Sequence, residues 1–116
     1  MPTIERGNFM DPKKSAYNFE VHDSGLELKM MERLEADHSV RKWTKKHGIV
    51  IPWLDPKGRR HNYRPDFLVE YTDGVLALIE VKGSNLIDSQ TVQRKKEAAQ
   101  RWCARRGMDY SIETIE

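Results

Sequence analysis

The amino-acid sequence predicts a single domain with a mixed α/β fold. Its 116 residues suit one hydrophobic core and leave little room for a second. Two segments carry apolar residues at helical spacing, and short runs rich in β-branched and aromatic residues lie between and after them. The predicted order is therefore helix, several strands, helix and strand, with helices packed on a mixed sheet.

Residues 1–22 are predicted to be an irregular N-terminal arm, and residues 23–116 the folded domain. The arm mixes polar side chains with isolated aromatic residues and two prolines, and a short strand fits only at residues 19–21. The first helix begins at Ser24, because Ser24 and Glu27 have the spacing of a capping box. Apolar side chains then follow at helical spacing, and the helix is predicted to end near residues 37–39.

The strands are predicted from apolar runs bounded by turn residues. A short extended piece covers residues 40–43, and a strand at 49–54 is followed by a type I turn at Asp55-Pro-Lys-Gly58 and a return strand through Tyr63. Strands at 64–71 and 75–81 flank Thr72-Asp-Gly74. A loop at 83–88, a helix at 89–106 ended by Gly107, and a strand at 110–115 complete the chain.

Composition excludes several classes of protein. No apolar run approaches the roughly 18 residues that span a bilayer, and the first residues lack the layout of a secretory signal. The single cysteine, Cys103, can form no intramolecular disulfide, so a cytoplasmic protein without membrane partners is expected. The net charge of +2 does not by itself indicate nucleic-acid binding, although basic residues cluster at 45–47 and 57–64.

The most informative segment runs from Arg64 to Gly83. Alternate residues of a strand share a face, so Glu80 and Lys82 point to the same side. A two-residue loop before Val75 would place Asp66 and Glu80 on opposite faces of the hairpin. A three-residue or five-residue loop would place them directly opposite each other, and an Asp-Gly sequence favours the three-residue loop. We therefore predict that the two carboxylates face each other.

Facing carboxylates repel each other unless a cation compensates them. Mg²⁺ prefers oxygen ligands, often one or two carboxylates together with substrate phosphates and water, so Asp66 and Glu80 are candidate metal ligands. The carbonyl of Val81 is a candidate third ligand, and Lys82 could orient or deprotonate a water molecule. The alternative is a plain cross-strand ion pair on a wet face. Leu68, Leu76 and Leu78 lie on the face that carries the charges, which favours a covered, chemically active site.

These residues resemble the signature of the PD-(D/E)xK, or restriction-endonuclease-like, nuclease superfamily. The resemblance lies in Pro65-Asp66 and Glu80-Val-Lys82 on neighbouring strands before a helix, and extends over roughly residues 19–106. It is greatest to the nuclease domains of type III restriction subunits and to TnsA-type transposon endonucleases. The resemblance implies a restriction-endonuclease-like mixed sheet flanked by helices.

The resemblance also implies roles for particular residues. Asp66 and Glu80 would hold Mg²⁺, for which Mn²⁺ would substitute, and Lys82 would be the catalytic base or a stabiliser of charge. Glu27 matches the additional acid of the family, which supports the metal directly or through water; its alternative is to close its own capping box. Lys95 would contact a phosphate, or else extend to solvent.

The leading hypothesis is a metal-dependent endonuclease acting on DNA, with RNA left open. A set of basic residues is predicted to contact the nucleic-acid backbone: Lys57, Arg59, Arg60, Arg64 and Lys95. Two other hypotheses are a homodimeric, structure-specific nuclease that resolves junctions, and a non-cleaving subunit that binds nucleic acid or takes part in assembly. The sequence contains no P-loop motif, so no ATP motor is expected, and an unidentified targeting subunit is a candidate partner.

Overall fold

The computed structural model describes residues 6–83 and 90–115. Most of the loop predicted at 83–88, and Ser89 at the predicted start of the second helix, lie outside them. The described chain contains two helices and eight strands: β1 (Gly7–Met10), β2 (Phe19–His22), α1 (Gly25–Ala36), β3 (Val40–Thr44), β4 (Ile51–Leu54), β5 (Arg60–Tyr63), β6 (Phe67–Tyr71), β7 (Leu76–Lys82), α2 (Gln90–Ala104) and β8 (Asp109–Thr114).

The central sheet has four strands in the order β3-β6-β7-β8. Strands β3, β6 and β7 are antiparallel neighbours, whereas β8 runs parallel to β7. Parallel neighbours need a crossover, and α2 lies in this one. The predicted mixed α/β fold is confirmed.

The alternation of side chains along β7 divides the core between the two faces of the sheet. Ala77, Ile79 and Val81 pack with the apolar side of α1. Leu78 points the other way and packs with α2 and the separate β4–β5 hairpin. Because Glu80 and Lys82 share the parity of Leu78, they belong to the α2 side of the sheet. No described helix has the length and apolar character that crossing a membrane requires.

The start of α1 follows the predicted capping pattern in part. The Oγ of Ser24 accepts a 3.2 Å hydrogen bond from the backbone amide of Glu27, which confirms Ser24 as the N-cap. The Glu27 carboxylate accepts a 2.8 Å bond from the amide of Asp23, one residue before the amide that a capping box uses. Glu27 is thereby fixed at the start of the helix.

The prediction of an irregular N-terminal arm is wrong for β1, whereas the short strand predicted at residues 19–21 is confirmed as β2. These strands pair antiparallel from Gly7 opposite His22 to Met10 opposite Phe19. The hairpin is tied to the rest of the chain by Glu20, which is fully buried and accepts hydrogen bonds from the hydroxyl of Thr44 and the amide of Lys45. Contacts with distant residues therefore stabilise strands that local sequence does not favour.

The β6–β7 hairpin has the predicted register. The amide of Tyr71 donates to the carbonyl of Val75 at 2.9 Å, so three residues form the loop, and Gly74 has φ +87°. The pairing continues to Phe67 opposite Ile79, and one further step brings Asp66 opposite Glu80. The strand predicted from residue 64 begins only at Phe67, because Pro65 has no N–H and the Asp66 amide points to a side chain.

Candidate active site

Asp66 and Glu80 interlock at the end of the β6–β7 hairpin. The Oδ2 atom of Asp66 accepts a 2.9 Å hydrogen bond from the Val81 amide. In return, the Oε1 atom of Glu80 accepts a 3.3 Å bond from the Asp66 amide. Each carboxylate is thus held by the main chain beside the other acid, and each keeps a second oxygen for other partners.

Glu80 is buried, with 8% of its surface exposed, and its carboxylate contacts two polar side chains, of which one is a cation. The hydroxyl of Tyr63 donates to Oε1 at 2.9 Å. The Nζ atom of Lys82 lies 3.3 Å from Oε2. The alternative of a wet cross-strand ion pair is therefore contradicted, because a carboxylate on a solvated face would not be enclosed in this way.

An aromatic group covers this carboxylate from the α2 side. The hydroxyl groups of Tyr63 and Tyr110 lie 2.8 Å apart, and the ammonium of Lys95 lies 5.3 Å from the centre of the Tyr63 ring. Burial, and then the negative charge of Glu80, raise the pKa of Tyr63 above its usual value. Tyr63 consequently keeps its proton and remains a hydrogen-bond donor to Glu80.

Asp66 has a raised pKa, at about 7. Burial is the largest cause, and the neighbouring negative charge of Glu80 is the next. The hydrogen bond from the Val81 amide acts in the opposite direction, because it favours the ionised form. Asp66 therefore ionises near neutral pH, and a nearby cation would lower the free energy of its charged form.

A cleft of about 370 Å³ opens beside Asp66. Glu27 lines this cleft, and its carboxylate forms an ion pair with Lys45, whose Nζ also lies 3.3 Å from Asp23. Burial alone would lower the pKa of Lys45, but these carboxylates raise it above its usual value. The negative charge of Glu27 also helps to raise the pKa of Asp66, whereas the charge of Lys45 acts in the opposite direction.

His47 holds the peptide that precedes Asp66. Its Nδ1 atom accepts a 3.0 Å bond from the Ile49 amide, so the proton of the neutral ring is on Nε2 and is donated to the Pro65 carbonyl at 2.7 Å. Burial lowers the pKa of His47 and favours this neutral form. The His47 ring therefore helps to hold the Pro65–Asp66 segment in position through its hydrogen bond to the Pro65 carbonyl.

The chemistry of the donor set fits a small, hard cation. Asp66, Glu80 and the Val81 carbonyl offer oxygen atoms only, which is the ligand type that Mg²⁺ and Mn²⁺ prefer. Among residues 6–83 and 90–115, no three acidic, histidine or cysteine side chains converge on one point. Glu27 therefore does not stand with the other two acids as a third carboxylate in this arrangement.

The basic residues predicted to contact nucleic acid are divided between two places. Arg64 lines the Asp66 cleft, and Lys95 lies over the aromatic rings beside Glu80. Lys57, Arg59 and Arg60 are exposed on the β4–β5 hairpin and do not line the cleft. The structure thus brings two of the five predicted residues to the acidic pair.

Sequence reasoning misses four residues of this site: Tyr63, Tyr110, Lys45 and His47. The sequence places Tyr63 only at the end of a return strand, and its inward orientation there is the available signal. Tyr110 reaches the site because β8 lies parallel to β7 with Tyr110 opposite Leu78. Nothing local in the sequence pairs Lys45 with Glu27.

The family comparison agrees with this geometry. A family model described as "TnsA-like endonuclease N terminal" matches residues 37–114. The chain belongs to this family. The match covers about two thirds of the chain, from β3 to β8, and confirms the resemblance to TnsA-type nucleases. A search of curated proteins finds no match.

Membership in the TnsA-like family associates the residues of this site with a family of endonucleases. Asp66, Glu80 and Lys82 all lie within the matched segment, whereas α1 with Glu27 precedes it. The TnsA-like segment therefore contains the interlocked acids and their lysine, and Glu27 is an addition from the preceding helix.

Proposed function

We propose that this chain is a Mg²⁺-dependent endonuclease that hydrolyses phosphodiester bonds of DNA. One observation carries the proposal: Asp66 and Glu80 face each other across a fixed hairpin register, with the Lys82 ammonium 3.3 Å from Glu80. Opposed carboxylates beside an amine form a site that can hold a cation and stabilise a dianionic transition state. Membership in an endonuclease family supports the same assignment.

Asp66, Glu80 and the Val81 carbonyl would hold the metal ion, and Mn²⁺ would substitute for Mg²⁺. Bound Mg²⁺ supplies a Lewis acid that polarises the scissile phosphate. The raised pKa of Asp66 supports the assignment, because the repulsion from Glu80 that helps to raise it is what a bound cation removes.

Lys82 is assigned the role of orienting the attacking water and neutralising negative charge on the phosphate. Tyr63 holds Glu80 in place through its hydroxyl group and so acts as a positioning residue. Glu27 is assigned a supporting role, directly or through water, and this role requires its carboxylate to exchange the ion pair with Lys45 for the metal.

DNA is assigned as the substrate because the chain belongs to a TnsA-like endonuclease family, and positive charge that suits a nucleic-acid backbone flanks the acids. Arg64 in the cleft and Lys95 beside Glu80 would contact phosphates near the bond that is cut. Lys57, Arg59 and Arg60 on the exposed hairpin would contact the backbone further along. Such contacts position a duplex without reading its sequence.

The test is cleavage of plasmid DNA and branched DNA in Mg²⁺, with Mn²⁺ and EDTA in parallel. We expect Asp66→Ala and Lys82→Ala to reduce the cleavage rate at least about 100-fold, since each removes a group acting at the reaction centre. Glu97→Gln is the matched control, because it neutralises an exposed carboxylate on α2. Cleavage that survives both Asp66→Ala and Lys82→Ala refutes the proposal, and binding without cleavage indicates a non-cleaving subunit.

A further inference from the structure

A second pocket, of about 230 Å³, lies between the end of α2 and the start of β4. Three arginines line it, together with Trp102 and an apolar floor that includes Ile51: Arg101, Arg105 and Arg106. No residue of this arginine pocket lines the Asp66 cleft. Neither the acidic pair nor the reaction assigned to it accounts for the three arginines that line this pocket.

Positive charge accumulates in the arginine pocket without compensation. Arg101 and Arg105 are exposed and four residues apart, a spacing at which like charges on a helix repel each other. A guanidinium keeps its charge at every accessible pH. Within the part of the chain that the structure describes, no carboxylate forms an ion pair with any of the three arginines. The pocket is therefore suited to an external anion.

One of the three guanidinium groups is already held in place. Arg106 lies over the ring of Trp102, with 3.8 Å between its central carbon and the ring centre. Its NH1 atom also donates a 3.0 Å hydrogen bond to the Trp102 carbonyl. A guanidinium that is ordered before binding loses less conformational freedom when an anion arrives.

We propose that the arginine pocket binds a backbone phosphate of nucleic acid outside the Asp66 cleft. The identity of this ligand rests on the proposed function. A planar guanidinium donates two parallel hydrogen bonds to a phosphate, which makes arginine the suitable residue type. The pocket is a secondary contact that holds a duplex along α2 while the reaction takes place near Glu80.

The position of the pocket along α2 suits a long polyanion that also reaches Lys95, as a DNA duplex would. Arg105 follows the last residue of α2, Ala104, and its amide still donates to the Arg101 carbonyl, so the helical rise extends from Lys95, beside Glu80, to Arg105. The rise of an α-helix separates Lys95 from Arg105 by about 15 Å. Phosphates of one strand recur about every 3.4 Å along B-DNA, so the two contacts are about four to five base pairs apart.

The test is binding of a labelled DNA duplex in EDTA, where the absence of metal prevents cleavage. We expect Arg101→Ala/Arg105→Ala to weaken binding about 10-fold or more and, because one phosphate contact is lost, to reduce the slope of log K against log salt by about one. Lys13→Ala/Lys42→Ala is the matched control, since it removes two exposed charges near α1 and β3, and it should change affinity less than about twofold. Unchanged binding by the arginine variant would overturn the proposal.

A charge-preserving variant distinguishes a specific phosphate site from diffuse electrostatic attraction. A polyanionic competitor distinguishes it from a site for an acidic protein. Arg101→Lys/Arg105→Lys keeps both charges and loses the forked donors, so we expect it to recover only part of the affinity. Full recovery would show diffuse attraction and reject a built phosphate site. Polyglutamate that competes as strongly as duplex at equal charge would assign the pocket to an acidic protein and overturn the nucleic-acid proposal. Because binding is measured without metal, the binding result can be interpreted even if the cleavage assay fails.

Discussion

The hydroxyl of Tyr63 donates a 2.9 Å hydrogen bond to Glu80 and connects the β4–β5 hairpin to the acidic pair. Tyr63 is the last residue of β5, and its partner in β4 is Ile51. The hairpin that carries Lys57, Arg59 and Arg60 therefore contacts the Glu80 carboxylate directly through a hydrogen bond. DNA bound to the hairpin would therefore affect the position of Glu80 through this hydrogen bond.

Tyr63→Phe tests that connection. The change removes one charge-assisted hydrogen bond to Glu80, so we expect it to lower the free energy of unfolding by about 1–3 kcal/mol and to slow cleavage about 10-fold. Urea unfolding and the concentration of Mg²⁺ needed for half-maximal cleavage are the measurements. Tyr17→Phe is the matched control, because Tyr17 is 43% exposed and its ring still stacks under Lys46 after the change. Equal effects of the two changes would contradict the positioning role.

The raised pKa of Asp66 predicts how stability depends on pH. The carboxyl ionises near pH 4 in the unfolded chain and at about 7 in the folded chain, so the folded state binds more protons between these values. Its contribution to the free energy of unfolding therefore falls as the pH rises from about 4 to about 7. Urea unfolding of wild type and Asp66→Asn in EDTA should show a difference that declines over this range.

Mg²⁺ should reverse that loss of stability. An ion bound by ionised Asp66 stabilises the folded state, so the metal should raise the unfolding temperature of wild type more at pH 8 than at pH 5. Asp66→Asn should respond less than wild type at pH 8. A response that is the same at both pH values would contradict metal binding by Asp66.

Glu20→Ala tests the attachment of the N-terminal hairpin. Glu20 is fully buried and accepts bonds from Thr44 and Lys45, so its removal leaves donors unsatisfied and a cavity in the packing. We expect a loss of about 3–5 kcal/mol in the free energy of unfolding. Glu32→Ala, an exposed position on α1, should change it by less than about 0.5 kcal/mol in the same urea titration. A small effect of Glu20→Ala would show that β1 and β2 are loosely attached.

Charge on the β4–β5 hairpin should affect DNA binding more than protein stability. Lys57→Ala/Arg59→Ala/Arg60→Ala removes three exposed charges, so we expect weaker binding and a salt slope reduced by about three. Fluorescence anisotropy with a labelled duplex in EDTA measures both quantities, and circular dichroism checks the fold. A salt slope equal to that of wild type would exclude these residues from the nucleic-acid interface.

The sequence predicts the acidic pair well because local rules determine it. The Thr72-Asp-Gly74 loop sets the register, and the alternation along β7 assigns Glu80 and Lys82 to one face. The same reasoning locates Ser24 at the start of α1, where the capping interaction spans only three residues. In each case the decisive contacts lie within one turn or one hairpin.

The rest of the site depends on contacts between residues distant in the sequence. Tyr110 reaches Tyr63 across 47 positions, and Lys45 reaches Glu27 across 18. Strand β1 escapes prediction because its pairing with β2 is supported by Glu20 and its distant partners. No periodicity or turn rule reports such contacts, because they depend on how separate elements pack.

The parallel pairing of β7 with β8 also has a consequence for the order of assembly. The β6–β7 hairpin closes a loop of three residues, whereas β8 can join β7 only after the chain has passed through α2. Closing the longer segment costs more entropy, so contacts of low sequence separation are expected first. Asp66 and Glu80 would then meet early during folding, and their mutual repulsion would be present before Tyr110 and the covering helix arrive.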